Sequence, residues 1–318
     1  MTHNTANTQG FLVRQPGLMT LIQDAGRFGQ HGIGLTVGGP LDAEAFMWAN
    51  RLCGNDHGAT ALEVSFGGLQ LEAQVNSRIA VTGAEMPVKI NGQEIEQWRS
   101  YPVQAGDVIE LGYATQGCRA YLAVAGGFDV AHSFGSAATV TRESVGGLSG
   151  GKLEPNDFLP CAASDASGCF VLPEQARPTY GKSAHLRVIL GYQKEAFSDI
   201  QIAQFFTSEY TTTDRSDRMG YRLEGPEIKP AIDGILSEGI CHGAIQVPAD
   251  GQPIVLLNDR QTIGGYPKLG SVLSLDTAKL AQLTPGSTIT FEAVTIDDAH
   301  NLHLLTKHRL NAVMPLAC

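Results

Sequence analysis

The sequence predicts a mainly β protein with a few short helices, built as two similar β-barrels in tandem. Three observations lead there. Between residues 60 and 130, short alternating apolar runs follow one another with turn signals between them, the pattern of a barrel or sandwich. At 318 residues the chain is long for a single hydrophobic core. Short motifs of the first half also recur in the second. Gly26-Arg27-Phe28-Gly29 is echoed by Asp217-Arg218-Met219-Gly220, each with a Gly-Pro downstream, and Gly106-Asp107-Val108-Ile109 by Gly286-Ser287-Thr288-Ile289. The offset shrinks slowly along the chain, as loop deletions would make it.

Residues 1–10 form a polar, mobile tail, and 11–165 the first β domain. Residues 10–22 alternate as a strand that breaks only at Pro16-Gly17. The glycine-dense loop 23–34 follows; it lacks the strand, Gly-x-Gly-x-x-Gly and helix order that a dinucleotide site requires. Leu41, Ala45, Trp48 and Leu52 recur at helical spacing, Pro40 suits the first turn and Gly54 the stop. Trp48 reads as core. Strands are expected at 61–64, 68–73, 78–82, 88–90, 108–111 and 119–124, with hairpin turns at Asn91-Gly92 and Gly106-Asp107. The polar stretch 133–152 reads as a mobile loop over a site. It is not a phosphate-binding loop, because Leu153 stands where a hydroxyl must hold magnesium and 154–157 is a turn.

The Ala-, Ser-, Gly- and Pro-rich stretch 162–185 supplies the linker, assigned to 166–184, and 185–318 forms the second β domain. Its expected strands are 185–190, 244–247, 253–257, 271–275 and 287–293. One short helix starts after Ser198 with Ile200, Ala203 and Phe206 inward, and another spans 277–283 capped by Asp276. The segment after 295 reads as a polar tail.

A net charge of -10 excludes sequence-independent nucleic-acid binding, which needs a basic footprint. Small polar molecules and protein partners remain. No run approaches the roughly 18 apolar residues of a membrane span, and the six cysteines show no C-x-x-C pair. They read as reduced thiols in a cytoplasmic protein.

The chemistry concentrates in 214–226 and 258–269. Together these stretches hold three Asp, four Arg, a Gln, a Lys and two Tyr among four Gly and two Pro. Polar side chains on such loops converge on a small polar ligand, because glycine lets backbone N–H groups approach closely. Arg with fixed donors suits carboxylates, ureido groups and amides. His300 and His303 are spaced to share a metal if helical, but read better as a solvated turn, so no metal site is assigned. His31 and His242 sit in glycine-rich loops and read as loop histidines.

Several of these motifs resemble the allophanate-hydrolase subunit 2 family: Gln23-Asp24-Ala25-Gly26-Arg27-Phe28-Gly29, Gly38-Gly39-Pro40-Leu41-Asp42, Leu62-Glu63, 216–223, Gln246-Val247-Pro248 and 259–268. The resemblance runs from about residue 11 to 295 and implies tandem cyclophilin-like β-barrels. It implies two partners, a B-type protein (allophanate hydrolase subunit 1-like) and an A-type hydrolase. The reaction implied is the ATP-dependent opening of 5-oxo-L-proline to L-glutamate, with ATP used by the complex. Carboxyltransferase members of the same family act with biotin, for which this chain has no Met-Lys acceptor. A third possibility is a regulatory protein that binds the B-type partner. The mid-chain loop 135–140 departs from the family pattern, and Ile263 replaces the usual Thr. From side-chain chemistry, Arg218, Asp259 and Gln261 are the candidate catalytic residues. Arg222, Gln246, Gly264, Gly265 and Tyr266 are the candidate substrate-binding residues, with Gln23, Asp24 and Arg27 contributed by the first half.

Overall fold

A computed structural model describes residues 9–165, 168–232 and 234–318; most of the 1–10 tail therefore lies outside the described residues. The chain divides into two units. One comprises Met1–Phe28, Gly38–Thr179 and Met314–Cys318, the other Gly29–Val37 and Tyr180–Val313.

In the first unit the alternating runs pair into antiparallel sheets, as the pattern predicts. A six-stranded sheet runs in the order Phe158–Pro160, Gly10–Pro16, Gly67–Ala73, Val108–Tyr113, Val88–Ile90 and Gln93–Ile95. A five-stranded sheet runs Met19–Gln23, Ala61–Ser65, Gln116–Val124, Ser77–Glu85 and Ser100–Val103. Every second side chain points inward. Val13, Leu71 and Ile109 from one sheet meet Leu62, Ile79 and Leu122 from the other in one core, all fully buried. Each such side chain contributes about 1.5–3 kcal/mol.

The hairpin expected at Asn91-Gly92 is present. Ile90 pairs with Gln93, and both turn residues have positive φ, 52° and 80°, matching the strand twist. Gly106-Asp107 is a turn but not a hairpin, because the strands on either side of it, Ser100–Val103 and Val108–Tyr113, lie in different sheets. A turn signal marks where the chain reverses and says nothing of its next partner.

Helix α1, Ala43–Cys53, packs with Trp48 and Leu52 fully buried. It begins at Asp42, whose carboxylate accepts from Ala45 N at 3.0 Å, and not at Pro40. A side chain aimed at an orphan N–H contributes about 1 kcal/mol at this position, and that outweighs the preference of proline for a first turn. Gly54 closes the helix in the left-handed conformation at φ 79°.

Part of the stretch read as linker is structured. Phe170–Val171 pairs with Leu316–Ala317, and Leu172 is fully buried. That register sets Cys169 opposite Cys318, and the two form a disulfide across a sequence separation of 149. This corrects the expectation of six reduced thiols. Spacing rules read local cysteine pairs, whereas here the pairing is made by two distant strands. Cys53 and Cys161 are buried free thiols, pushed by burial up to about 12 and about 11.

The second unit is a closed barrel of strands in the order Ser183–Leu190, Lys268–Val272, Ala244–Gln246, Ile254–Leu256, Gly220–Glu224, Tyr210–Thr212 and Thr288–Ala293. It closes through a parallel pair that sets Leu186 opposite Phe291. Outside the barrel, Glu238–Gly239 and Ile263–Gly264 form a short antiparallel ribbon.

Helix α2, Asp199–Thr207, starts at Ser198 with a full capping box. Its inward residue is Phe205, stacked on Phe291 with ring centroids 4.3 Å apart. Ile200 is 79% exposed, so the expected inward face lies one residue out of phase. Helix α3, Ser274–Ala281, begins three residues before the expected start and takes the end of the expected strand 271–275. Asp276 is therefore in its first turn and not its cap. Fully buried, it accepts from Arg187 Nε and Nη2 at 2.7 Å each, from Arg187 N at 2.9 Å and from Lys279 Nζ at 2.8 Å. Burial alone would raise its pKa, but these donors outweigh burial and hold it below the usual carboxylate value.

The expected polar tail is instead a helix, α4, Ile296–Ala312, which carries His300 and His303. It too starts with a capping box, between Thr295 and Asp298. No residue of α4 is buried, so it lacks the apolar stripe that would reveal it in sequence. Among the described residues no helix is long and apolar enough to cross a membrane.

Candidate functional site

In the second unit the two stretches singled out in the sequence meet. Arg218 donates to Asp259 through Nε at 2.9 Å and Nη2 at 3.1 Å, with both side chains buried. The backbone repeats the link: Asp259 N donates to Arg218 O at 3.0 Å and Leu257 N to Met219 O at 2.8 Å. Asp217 sets the turn that presents Arg218, accepting from Met219 N at 2.7 Å. Gln261 lies two residues beyond Asp259 and is half-buried. Arg222 is placed differently from Arg218: it sits on the exposed face of Gly220–Glu224.

A second cluster forms around Gln246. Along the pairing of Ala244–Gln246 with Lys268–Val272 the register slips between Ile245 and Gln246, so that Gln246 stands opposite Lys268. Strict alternation would have put Leu269 there. Such a bulge turns a side chain to the other face, and bulges recur beside functional sites. Gln246 is 1% and Lys268 8% exposed. Lys268 Nζ lies 2.6 Å from Glu238 Oε1. Glu238 also accepts from Tyr192 Oη and, at 2.7 Å, from Gln193 Nε2. Lys268, and then Tyr192, hold the Glu238 carboxylate below its ordinary pKa, while the bond to Glu238 raises that of the Tyr192 phenol. Gln193 closes the ring by accepting from Lys268 N at 2.8 Å.

The glycines of Ile263–Gly264–Gly265 serve close approach. A Cβ on Gly264 would lie 2.5 Å from Ile240 Cδ1 and 2.7 Å from Gln246 Nε2. Gly265 O accepts from Ile235 N at 2.8 Å, and Tyr266 is 45% exposed beside them. Behind this surface Arg260 turns inward, donating to Ile240 O and Leu257 O at 3.1 Å each. His242 is pushed down to about 4, first by burial and then by the Arg260 charge, against an opposing bond to Asn258. Cys241, the exposed free thiol, lies 3.0 Å from Ser271 Oγ. His31 lies in the short 3-10 turn His31–Ile33 and is exposed.

The first-half residues Gln23, Asp24 and Arg27 come together in their own unit, where they grip the 133–140 segment. Gln23 Nε2 donates to Thr139 O at 3.0 Å, and Arg27 to Ser133 O at 2.9 Å and Ala138 O at 3.0 Å. Asp24 accepts from Ser136 Oγ at 2.6 Å, Ala137 N at 2.7 Å and Gly26 N at 2.9 Å. Residues 136–140 are fully buried, which corrects the reading of a mobile loop for that part of 133–152. Its glycines are required by packing: a Cβ on Gly146 would lie 1.9 Å from Ala138 O.

Removing the carboxylate in Asp24→Ala strands two buried donors, Ser136 Oγ–H and Ala137 N–H. We expect it to cost about 3 kcal/mol, measured as a lower urea midpoint at unchanged m-value.

Sequence reasoning missed Lys268, Glu238, Tyr192 and Gln193 as site residues. Lys268 lies within a marked stretch, but the bulge that aims it carries no sequence signal. Glu238 and Tyr192 stand in unmarked segments and arrive only through the fold.

A mostly β chain whose polar groups converge from several loops is the class of protein the fold and this cluster define. The family model for the carboxyltransferase domain, subdomain A and B, matches residues 33–293, and the chain belongs to that family. It is 36% identical over 284 residues to the C component of 5-oxoprolinase from Escherichia coli, covering 89% of this chain and 91% of that one. It is 35% identical to the C component of 5-oxoprolinase from Haemophilus influenzae, covering 88% and 90%. Among solved structures, the urea carboxylase of Kluyveromyces lactis superposes with a TM-score of 0.90 at 30% identity. That match covers 97% of this chain but only 29% of the urea carboxylase.

Proposed function

We propose that the protein is component C of an ATP-dependent 5-oxoprolinase, acting with A-type and B-type partner proteins to open 5-oxo-L-proline to L-glutamate. The carrying observation is length. The relatives named for this activity match over 91% and 90% of their own chains, whereas the urea carboxylase holds the same fold as a 29% segment of a longer chain.

The cluster of the second unit is chemically suited to this substrate. A lactam offers a planar amide and a carboxylate, and the site offers buried cations, an amide and glycine backbone. In this reading Asp259, held by Arg218, and Gln261 orient the lactam. Gln246, Gly264, Gly265 and Tyr266 shape the pocket, and Arg222 provides an exposed cation for the carboxylate. Gln23, Asp24 and Arg27 act through the 133–140 segment they hold. ATP is consumed by the complex, which phosphorylates the lactam before the A-type hydrolase opens it.

The second reading is a carboxyltransferase component of a biotin-dependent urea or amide carboxylase, with biotin delivered on a partner. The fold shared with the Kluyveromyces lactis enzyme favours it. The test is glutamate release from 5-oxoproline with ATP, by this chain purified with its A-type and B-type partners and with each omitted in turn. Release that requires all three is the expected result. ATP hydrolysis that appears only with urea and a biotinylated carrier would replace the first reading by the second.

A further inference from the structure

Gln246 and Lys268 are buried polar residues that face each other across two strands of the second unit. Gln246 Nε2 has no hydrogen-bond partner among the described residues, although the side chain is 1% exposed. Leaving a buried amide donor unpaired costs free energy that a core normally avoids. Its cross-strand neighbour Lys268 is 8% exposed and carries three N–H donors, with the carboxylate of Glu238 beside it at 2.6 Å. Directly opposite residues of an antiparallel pair project to the same face. The bulge that places Lys268, and not Leu269, opposite Gln246 therefore sets an ammonium and an unpaired amide donor side by side. Gly264 brings bare backbone up against that amide, where a Cβ would lie 2.7 Å from Gln246 Nε2.

Two convergent donors, one charged, over a backbone with no side chain match one acceptor: a carbonyl oxygen of a planar amide. We propose that Lys268 Nζ and Gln246 Nε2 together bind the carbonyl oxygen of a lactam substrate, with Glu238 and Tyr192 as positioning residues that hold the ammonium. This deepens the oxoprolinase reading and rests on it for the identity of the lactam. The pair polarises the carbonyl, with Glu238 holding the ammonium in place and Gln193 fixing the strand that carries it. The ribbon of Glu238–Gly239 and Ile263–Gly264 lies against the pair, joined at Glu238 with Gly264 and Gly239 with Ile263 and extended by Ile240 N donating to Thr262 O at 3.0 Å.

The test uses the reconstituted complex with wild-type chain, Lys268→Met, Gln246→Met and the double variant. Expected is a rise in the KM for 5-oxoproline of about tenfold for each single variant, with less than additive loss in the double variant and an unshifted unfolding midpoint. Tyr192→Phe, which leaves both donors in place, should move the pH profile of kcat/KM more than KM itself. Wild-type turnover with KM unchanged in both Met variants would overturn the donor pair while leaving the oxoprolinase reading intact. A separate arm does not depend on turnover. In hydrogen exchange, 5-oxoproline or urea should slow the amides of Gly264 and Gly265 in the wild-type complex and not in Lys268→Met. If neither probe protects them, the proposal fails, even in a complex that releases glutamate. If the complex releases none but urea protects these amides, the donor pair stands and the substrate reading changes.

Discussion

Arg218→Ala is expected to destabilise the second unit by about 3–5 kcal/mol. The Arg218 and Asp259 side chains are 7% and 3% exposed and joined by two charge-assisted hydrogen bonds. Truncating the arginine leaves the carboxylate buried without its counter-charge, so the cost is that of stranding a charge and not the net worth of the pair. The same logic predicts that Arg218→Met with Asp259→Leu recovers much of the loss, because neither charge is then stranded. Arg222→Ala, on the exposed face four residues on, should stay within about 0.5 kcal/mol. Urea unfolding of wild type, Arg218→Met, Asp259→Leu and the double variant gives the coupling directly. An Arg218→Ala midpoint equal to wild type would mean the pair is not buried in solution. In the complex, Arg218→Ala should also abolish turnover, because the segment carrying Asp259 and Gln261 loses its anchor; Arg222→Ala can then reveal substrate binding without that structural cost.

Much of this arrangement was legible in the sequence, and the limit lies at a definite physical level. Local signals survived folding. Asn91-Gly92 makes its turn, Ser198 caps its helix, Gly54 ends α1, and the alternation of 61–64 and 119–124 becomes paired, buried strands. Even the convergence of 214–226 with 258–269 was readable, because Arg and Asp concentrated on glycine loops have few other ways to be satisfied. What failed was everything decided by a partner far along the chain. Phase along α2 depends on where Phe291 lies, so Phe205 and not Phe206 turns inward. The disulfide needs the strands of 170–171 and 316–317 to be neighbours. Lys268 belongs to the cluster only because one bulged residue reverses its direction. Gln23, Asp24 and Arg27 stand out in the sequence as a group, yet apart from the Ser136 hydroxyl the atoms they contact in 133–139 are backbone carbonyls and N–H groups that no motif can display.

Between pH 6.5 and pH 4 the protein is expected to lose stability through His242. Burial and the facing Arg260 guanidinium push its pKa down to about 4, against about 6.5 in an unfolded chain. In that window the unfolded state binds a proton that the folded state refuses. Stability therefore rises with pH from about 4 and levels off above about 6.5. The full shift would correspond to about 3 kcal/mol; His242 is only partly buried by accessible surface, and solvent screening reduces this to about 1–2 kcal/mol. Asp276 acts lower on the scale: its depressed pKa contributes stability that is lost only in acid below about pH 4. The two groups are thus separable on one titration. His242→Gln, which keeps a donor for Asn258 and cannot charge, should flatten the curve between 6.5 and 4 and leave the acid limb unchanged. Parallel curves for wild type and variant would show that the histidine protonates freely in the fold. Because the Asn258 contact adjoins Asp259, a charged His242 beside Arg260 would strain the segment that holds the Arg218 pair, and acid loss of activity should precede loss of fold.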